Sequence, residues 1–229
     1  MATLSQQQIT DLLDYAQTDD ISSFDSLVTE ITEANSITKG KVISIPRRDD
    51  AKTILHVAAI NKSSQVLGYC VVPDRWAQQE ELLEEFVDRQ DNEGRTALHY
   101  ACAAGDVSPT RYLLHRMASV GIQDNDQNSA LHHAVLGGTV RLVKALIDTY
   151  KHEGLGEDVK INLNATNNDG QSALHLAAGR NDKPMAEALV NKGISARIVD
   201  RNGNTAYAEA NRKGYTAVTV FLASRGITA

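Results

Sequence analysis

Histidine recurs at a fixed place in this sequence and is the first residue type whose chemistry needs explaining. His56, His99, His132 and His175 each stand fourth in a six-residue frame of hydroxyl residue, Ala or Ile, Leu, His, any residue and Ala. Imidazole nitrogens are common zinc ligands, so four such histidines could suggest a metal array. Successive copies lie 43, 33 and 43 residues apart, which is not the spacing of a zinc motif.

Three other side chains could act as a metal ligand or nucleophile. His133 follows His132 directly, and adjacent residues of a helix point in different directions, so the two rings cannot easily share a metal. Cys102 occupies a small-residue position, and Cys70 lies in an apolar stretch, so both are predicted to be buried. The sequence contains no phosphate-binding glycine loop and no kinase or hydrolase motif. We therefore predict no enzyme, no cofactor and no metal site.

The elements that position these side chains are helices repeated along the chain. The frames begin at Thr53, Thr96, Ser129, Ser172 and Thr205, at intervals of 43, 33, 43 and 33 residues. A hydroxyl residue ahead of an Ala-rich apolar stretch is a helix start, because its oxygen can accept from an unpaired N–H of the first turn. Such units bury their apolar faces only against one another, which is typical of a solenoid.

The 33-residue period resembles the ankyrin repeat, whose pattern is Asp-x-x-Gly-x-Thr-Pro-Leu-His-x-Ala. After it come a Gly, a pair of Leu residues in the second helix and a closing Gly. Ile or Ala replaces the Pro in every frame, and Ala51 and Gln127 stand where a turn Gly is expected. The resemblance implies an all-α solenoid of helix-turn-helix units with β-turn tips, about five to six repeats including caps. The matching residues are Asp91, Gly94, Gly105, Leu113 and Leu114; Gly138, Leu146 and Ile147; Gly170, Leu189, Val190 and Gly193; and Asp200, Gly203, Gly214, Leu222 and Gly226.

The expected domain organisation is a single ankyrin-repeat domain over residues 1–229. An N-terminal cap repeat and linker (1–47) contains a degenerate helical unit over Ile9 to Glu30. The remaining predicted units are 48–90 with a helical insertion, 91–123, 124–166 with a loop insertion, 167–199, and a C-terminal cap repeat over 200–229.

Both 43-residue intervals contain about ten extra residues. In the first, Leu82, Leu83 and Phe86 fall at helical spacing, which predicts an extra helix containing the only tryptophan, Trp76. The second, residues 150–160, is polar with two glycines and predicts an exposed loop. Insertions in solenoids often contact the partner, but a surface loop also costs little to keep, and the sequence leaves both explanations open.

Charge is distributed unevenly around a net value of −6. Residues 1–38 hold seven acidic residues and no Lys or Arg, whereas residues 171–229 hold eight basic against four acidic residues. No apolar run is long enough to span a membrane, no secretion signal is visible and two cysteines make no disulfide framework. We expect a monomer in the cytoplasm, with the nucleus as a second location. Direct nucleic-acid binding is not expected, because a basic stripe is missing.

The ankyrin resemblance also implies a role for the histidines and a place for the partner. The frame histidines would be structural, bonding between neighbouring turns. A protein partner would lie on the concave face, against the turn tips and the exposed side of each first helix. Arg95, Tyr100, Arg180, Arg212 and Trp76 are the predicted anchors, because aromatic and Arg side chains are enriched in binding hot spots. The predicted partner-binding residues are Trp76, Asn92, Glu93, Arg95, Tyr100, Asp126, Asn128, His133, Asp169, Arg180, Arg201 and Arg212.

Two functions fit these expectations. The first is an adaptor or inhibitor that binds a protein through a rigid concave groove. The second is an escort chaperone that shields a basic client, such as a nucleic-acid-binding or ribosomal protein, with the acidic part of the chain. Binding that weakens steeply with salt would favour the chaperone.

Overall fold

The regular structure of this chain consists of α-helices. A computed structural model describes residues 4–71, 86–152 and 161–228, and its elements in these ranges are thirteen helices with two isolated β-bridges. The bridges join Gln123 to Ser129 and Val199 to Thr205. The predicted all-α class is confirmed. The chain divides into two compact units, Met1–Ser119 and Val120–Ala229.

In the first unit, residues 4–71 and 88–119 form three helical pairs and one short extra helix. In each pair the two helices pack on each other, and the first helices of neighbouring pairs, α1 with α4 and α4 with α6, also pack together. The buried core includes Leu12, Phe24, Leu55, Leu67 and Leu98. The helices are α1 (Gln6–Thr18), α2 (Ile21–Asn35), α3 (Lys39–Ile43), α4 (Ile54–Ile60), α5 (Ser64–Val71), α6 (Ala97–Ala103) and α7 (Val107–His115).

The second unit repeats the same arrangement with three more pairs. First helices pack on first helices (α8, α10, α12), and second helices pack on second helices (α9, α11, α13). Leu131, Leu146, Leu174, Leu189 and Leu222 are buried in its core. The helices are α8 (Ala130–Leu136), α9 (Val140–His152), α10 (Ala173–Gly179), α11 (Lys183–Lys192), α12 (Ala206–Arg212) and α13 (Thr216–Ser224).

The hydroxyl residues of the frames are the N-caps of the first helices, as predicted. At Thr205 the hydroxyl accepts from the backbone N–H of Ala208. In the four frames that contain histidine, the hydroxyl residue and the histidine form a capping box, in which the ring accepts from the N-cap backbone. Thr53 N–H donates to His56 Nδ1 at 3.0 Å, and the Thr53 hydroxyl lies 2.8 Å from the same nitrogen. Each frame histidine therefore caps the helix on which it stands.

The turn ahead of each frame has one conformation whether or not it contains glycine. Gly94, Gly170 and Gly203 have φ between 72° and 76°, and Ala51 and Gln127 both have φ of 61°. The left-handed conformation is strained for residues with a Cβ. The two departures from the ankyrin pattern thus adopt the backbone of the glycines they replace, which places the frames at Thr53 and Ser129 in the same register as the others.

The ends and insertions agree only in part with the sequence predictions. The N-terminal cap unit is present as α1 and α2, with Leu12, Ala16, Phe24 and Val28 buried. The insertion helix with Trp76 lies outside the described residues, apart from Phe86 and Val87, which are helical and buried. The prediction that the second insertion is a loop from residue 150 is wrong for residues 150–152. These residues extend α9, and the rest of that segment lies outside the described ranges.

Hydropathy of the helices bears on membrane insertion. Across the described parts of the chain, no helix combines the length and the apolar character needed to cross a bilayer.

Candidate partner-binding surfaces

Frame histidines join each repeat to the turn of the next. His56 Nε2 lies 3.0 Å from the carbonyl oxygen of Arg95, and His132 Nε2 and His175 Nε2 lie equally close to the carbonyls of Gln171 and Asn204. Because Nδ1 accepts from a backbone N–H, Nε2 must carry the ring proton and donate it to the carbonyl. The predicted structural role, a bond between neighbouring turns, is confirmed at these three histidines.

Burial keeps these rings neutral. Desolvation lowers the pKa of His56, His132 and His175 below the ordinary histidine value, although the backbone carbonyl that each ring binds acts in the opposite direction. A second proton would have to displace the N–H that donates to Nδ1. The histidine positions therefore serve folding and are not open to a ligand.

The turn tips are joined through their backbones. Asn92 N–H donates to Asp50 O at 2.9 Å in the first unit, and in the second unit Asn168 N–H donates to Asp126 O at 2.9 Å and Arg201 N–H to Asp169 O at 2.8 Å. The Asn92 side-chain amide adds a bond to the Asp49 carbonyl at 3.0 Å. Within each unit the tips are thus held at a fixed spacing, while the side chains of Glu93, Asp126, Asp169 and Arg201 remain exposed.

Tyr100 is the centre of a charged cluster in the first unit. Its hydroxyl donates to Asp91 Oδ2 at 2.7 Å, and Lys52 Nζ lies 3.3 Å from the same oxygen. The Lys52 ammonium and the Arg95 guanidinium both lie over the Tyr100 ring, at 5.4 and 5.7 Å from its centre. Arg95 also pairs with Glu93 at 2.6 Å. Of the predicted anchors, the structure therefore brings Arg95 and Tyr100 into one cluster.

Electrostatics fix the protonation states within this cluster. Burial alone would raise the pKa of Asp91, but hydrogen bonds from Tyr100, two backbone N–H groups and Lys52 outweigh it and lower that pKa. Burial alone would lower the pKa of Lys52, yet its contacts with Tyr100 and Asp91 raise it. Both groups are charged at neutral pH, so Tyr100 is held between a fixed carboxylate and two fixed cations.

His133 occupies the same place in its repeat as Tyr100. Its Nε2 lies 2.8 Å from Asp124 Oδ2, and the residue is only 6% exposed. His133 was predicted as a partner-binding residue, but its ring is buried against the Asp124 carboxylate and leaves little surface for a partner. Its role in the structure is to pair with the turn.

The ends of the first helices in the second unit carry basic residues that cross from one repeat to the next. Arg180 Nη1 donates to Leu136 O at 2.8 Å, and Lys213 Nζ lies 3.4 Å from Gly179 O. Arg212 and Lys213 also pair with Glu209 at 3.0 and 2.9 Å. The predicted anchors Arg180 and Arg212 are thus exposed residues of one surface.

The repeats described above match the profile of a known protein family. The profile of the family "Ankyrin repeats (3 copies)" matches residues 12–124, 75–156 and 152–229, which together cover most of the chain. The chain belongs to the ankyrin-repeat family. Ankyrin repeats are protein-interaction modules, so a protein partner is implied.

Two individual relatives agree with this assignment. The NF-kappa-B inhibitor epsilon of Homo sapiens is 27% identical over 150 residues, which are 66% of this chain and 28% of that protein, so the chain spans less than a third of that relative's length. The crystal structure of EF0377, an ankyrin repeat protein, has a TM-score of 0.71, covers 96% of this chain and 98% of its own, and is 22% identical. The second likeness concerns the fold alone.

The remaining predicted contact residues of the ankyrin repeats lie in several environments. Asn92, Glu93, Asp126, Asp169 and Arg201 are exposed at the tips. Asn128 is half-buried, and its side-chain oxygen accepts from Asn167 Nδ2 at 3.2 Å. Trp76 lies outside the described residues.

The remaining reactive groups of the described chain are its two cysteine thiols and the side chains that could bind a metal. Cys70 and Cys102 are buried, as predicted, and burial raises the pKa of both, to about 12 for Cys102. No group of three or more His, Cys, Asp or Glu side chains in the described ranges is arranged to hold a metal ion.

Sequence reasoning missed how the turn aspartates are linked to the first helices. Asp91 and Tyr100 are nine residues apart, as are Asp124 and His133, and both pairs form a hydrogen bond. A tyrosine or histidine, which can donate a hydrogen bond, nine positions after a turn aspartate is therefore the signal that could have found these pairs. At Asp200 the ninth residue is Glu209, whose carboxylate cannot donate, and it pairs with Arg212 and Lys213 instead. At Asn167 the ninth residue is Leu176, and there Asn167 Oδ1 accepts only backbone N–H groups in its own turn, those of Asp169 and Gln171.

Proposed function

We propose that this chain is an adaptor or inhibitor that occupies a surface of another protein with its turn tips and the exposed ends of its first helices. The family supplies the general role, protein interaction. A protein named as an NF-kappa-B inhibitor is among the relatives of this chain, and that likeness supports the inhibitor form.

One observation at the turn tips carries the proposal: the backbone atoms form the bonds between turns, and the outward side chains are exposed. Backbone groups bond the turns together, as at Asn168 and Asp126, and the frame histidines bond helices to turns. The outward side chains are exposed on the backbone that is fixed within each unit, Glu93 in the first and Asp126 and Asp169 in the second. A rigid surface loses little conformational entropy on binding, which is how preorganised interfaces gain affinity.

A test compares capture of partners by matched variants. The wild-type chain and a tip variant, Glu93→Lys, Asp126→Lys and Asp169→Lys, are used as baits in a cell lysate, and bound proteins are identified by mass spectrometry. The cap variant Asp14→Lys, Glu30→Lys and Glu33→Lys makes the same charge change at exposed positions of α1 and α2. Thermal unfolding of all three baits establishes that they are folded.

We expect one protein to be captured by the wild type and by the cap variant and to be lost with the tip variant. If the tip variant captures the same proteins as the wild type, the tips do not form the contact and the proposal fails. Once a partner is identified, competition with that partner's other ligands separates an inhibitor, which displaces them, from an adaptor, which does not.

An escort chaperone remains the second candidate, and one observation favours it. Asp14, Glu30 and Glu33 are exposed on the N-terminal helix pair, in a stretch that contains no Lys or Arg up to residue 38. A basic client would be attracted to this surface, and the attraction would be screened by salt. Loss of capture with the cap variant alone would favour the chaperone.

A further inference from the structure

The second unit contains a surface at which cations from neighbouring repeats meet an exposed leucine. Leu136, at the end of α8, is 41% exposed although it is a large apolar residue. The Arg180 guanidinium reaches back to its carbonyl from the next repeat. Gly179 stands beside Arg180, and a Cβ at Gly179 would lie 3.5 Å from Lys213 Nζ. Leu136, Arg180, Lys213 and Arg212 therefore form one continuous surface, called here the basic-leucine surface.

Among the described residues, the cations that are paired on this surface outnumber the carboxylates. Glu209 is the carboxylate that faces Arg212 and Lys213, and it is almost fully buried and already shared between the two cations. Arg180 bonds to a neutral carbonyl oxygen at the C-terminal end of α8. Three cations with one carboxylate leave a net positive patch beside an apolar side chain.

We propose that the basic-leucine surface binds an acidic peptide segment of the partner, with carboxylates over Arg180, Arg212 and Lys213 and an apolar side chain against Leu136. Guanidinium groups form strong paired hydrogen bonds with carboxylates, and Arg180 and Arg212 supply two of them. The inference rests on the proposed function and names the partner chemistry for one of its surfaces.

A protein segment fits this surface better than a nucleic acid does. The exposed carboxylates of Asp126 and Asp169 stand at the tips of the same unit and would repel a phosphate backbone that continued past the patch. Proteins bind single-stranded nucleic acids through aromatic stacking together with charge. Leu136 offers no ring on which a base could stack. An acidic peptide needs only a short contact and has an apolar residue to place on the leucine.

The test uses a labelled peptide of Glu residues with one central Leu, titrated with the full chain at about 0.1 M salt and followed by fluorescence anisotropy. The site variant is Arg180→Gln, Arg212→Gln and Lys213→Gln. The matched control is Arg141→Gln, Lys144→Gln and Arg197→Gln, which removes three exposed cations of the same unit. A peptide with Gln for Glu and a single-stranded RNA of similar length complete the set, and Leu136→Ser tests the apolar contact.

We expect the site variant to weaken binding of the Glu peptide by more than about tenfold and the control by less than about threefold, because exposed charges away from the contact contribute only long-range attraction. Leu136→Ser should weaken binding by about threefold to tenfold. Equal losses in both triple variants, equal binding of the Gln peptide, or tighter binding of the RNA would each overturn the inference.

The two experiments distinguish a failure of the acidic-segment inference from a failure of the proposed function. If the tip variant still loses its captured partner while the Glu peptide does not bind the wild-type chain, the proposed function stands and the acidic-segment inference alone is wrong. If the peptide binds as expected but capture is unaffected by the tip variant, the contact is limited to the basic-leucine surface and the tips are not part of it.

Discussion

The hydroxyl of Tyr100 donates a hydrogen bond to the buried carboxylate of Asp91, with 2.7 Å between the oxygens. This bond ties the first helix of a repeat to the turn that precedes it. The Asp91 side chain is fully buried and charged, so each hydrogen bond donated to it replaces a hydrogen bond to water that burial removes.

Tyr100→Phe is expected to destabilise the protein. The substitution keeps the ring between Lys52 and Arg95 but removes one donor from a buried carboxylate, at a cost of about 1 to 2 kcal/mol in the free energy of unfolding. Urea unfolding measures the change. Tyr112→Phe is the matched control, because Tyr112 is an exposed tyrosine of the same unit, and a change there of less than about 0.5 kcal/mol is expected. Equal effects of the two substitutions would contradict the role given to the Tyr100 hydroxyl.

Gln127→Gly is expected to stabilise the protein. Gln127 has φ of 61°, where glycine is free of the strain that a Cβ causes, so the gain should be up to about 1 kcal/mol. Gln127→Ala is the control for loss of the side chain alone and should bring no gain.

Gly170→Ala should act in the opposite direction. Besides its φ of 74°, a Cβ at Gly170 would lie 2.9 Å from the backbone nitrogen of Arg201, so the next turn would have to move. A loss of more than about 1 kcal/mol in the free energy of unfolding is expected. A neutral Gly170→Ala would mean that the two turns are not in close contact.

Stability is expected to fall as the pH is lowered from 7.5 to 5.5. The folded state lowers the pKa of His56, His132 and His175, so below the unfolded value of 6.5 the unfolded chain binds more protons and is favoured. The stability that neutral histidines provide is complete above pH 6.5 and is lost as the pH falls toward their folded pKa values. Each can contribute a slope of at most about 1.4 kcal/mol per pH unit.

Denaturant unfolding at several pH values checks this dependence. His175→Gln should reduce the slope between pH 7.5 and 5.5, because it removes one buried ring whose pKa the fold lowers. Most carboxylates titrate below this window and contribute little to it. A slope that is the same in the wild type and in His175→Gln would show that this buried ring does not titrate on unfolding.

Native Cys70 and Cys102 are expected to react slowly with a thiol reagent at pH 8. Both are fully buried and their raised pKa values keep them as thiols, whereas the thiolate is the reactive form. Labelling should be more than about tenfold slower in buffer than in concentrated urea. Equal rates under the two conditions would mean that the helices around the thiols open freely.

Sequence patterns were sufficient for the fold and for part of the candidate site. The frame at Thr53 predicts a helix start, and the alanines and leucines that follow predict its buried side, because periodicity reports local structure directly. The bond from His56 to the Arg95 carbonyl is of the kind that the family resemblance implied, a bond between neighbouring turns. Contacts that depend on the packing of two repeats, such as Arg180 with the Leu136 carbonyl, leave no periodic signal in the sequence.

The error at His133 has the same origin. Its position in the frame predicts an outward side chain, as for Tyr100, and both do leave the helix on that side. The Asp124 carboxylate, nine residues earlier, then decides how much of the ring remains exposed. Burial of a polar side chain depends on its partner, which residue type and position alone do not identify.

The backbone bonds between turn tips have a consequence for how such a protein can change during evolution. The hydrogen bond from Asn168 N–H to Asp126 O holds two turns together through backbone atoms alone. Every residue has the carbonyl oxygen, and every residue except proline has the N–H. Outward side chains at Asp126 and Asp169 can therefore be exchanged at little cost to folding. A new binding specificity is then reachable through a few substitutions at the tips, each tolerated singly, which makes these positions suitable for randomised libraries.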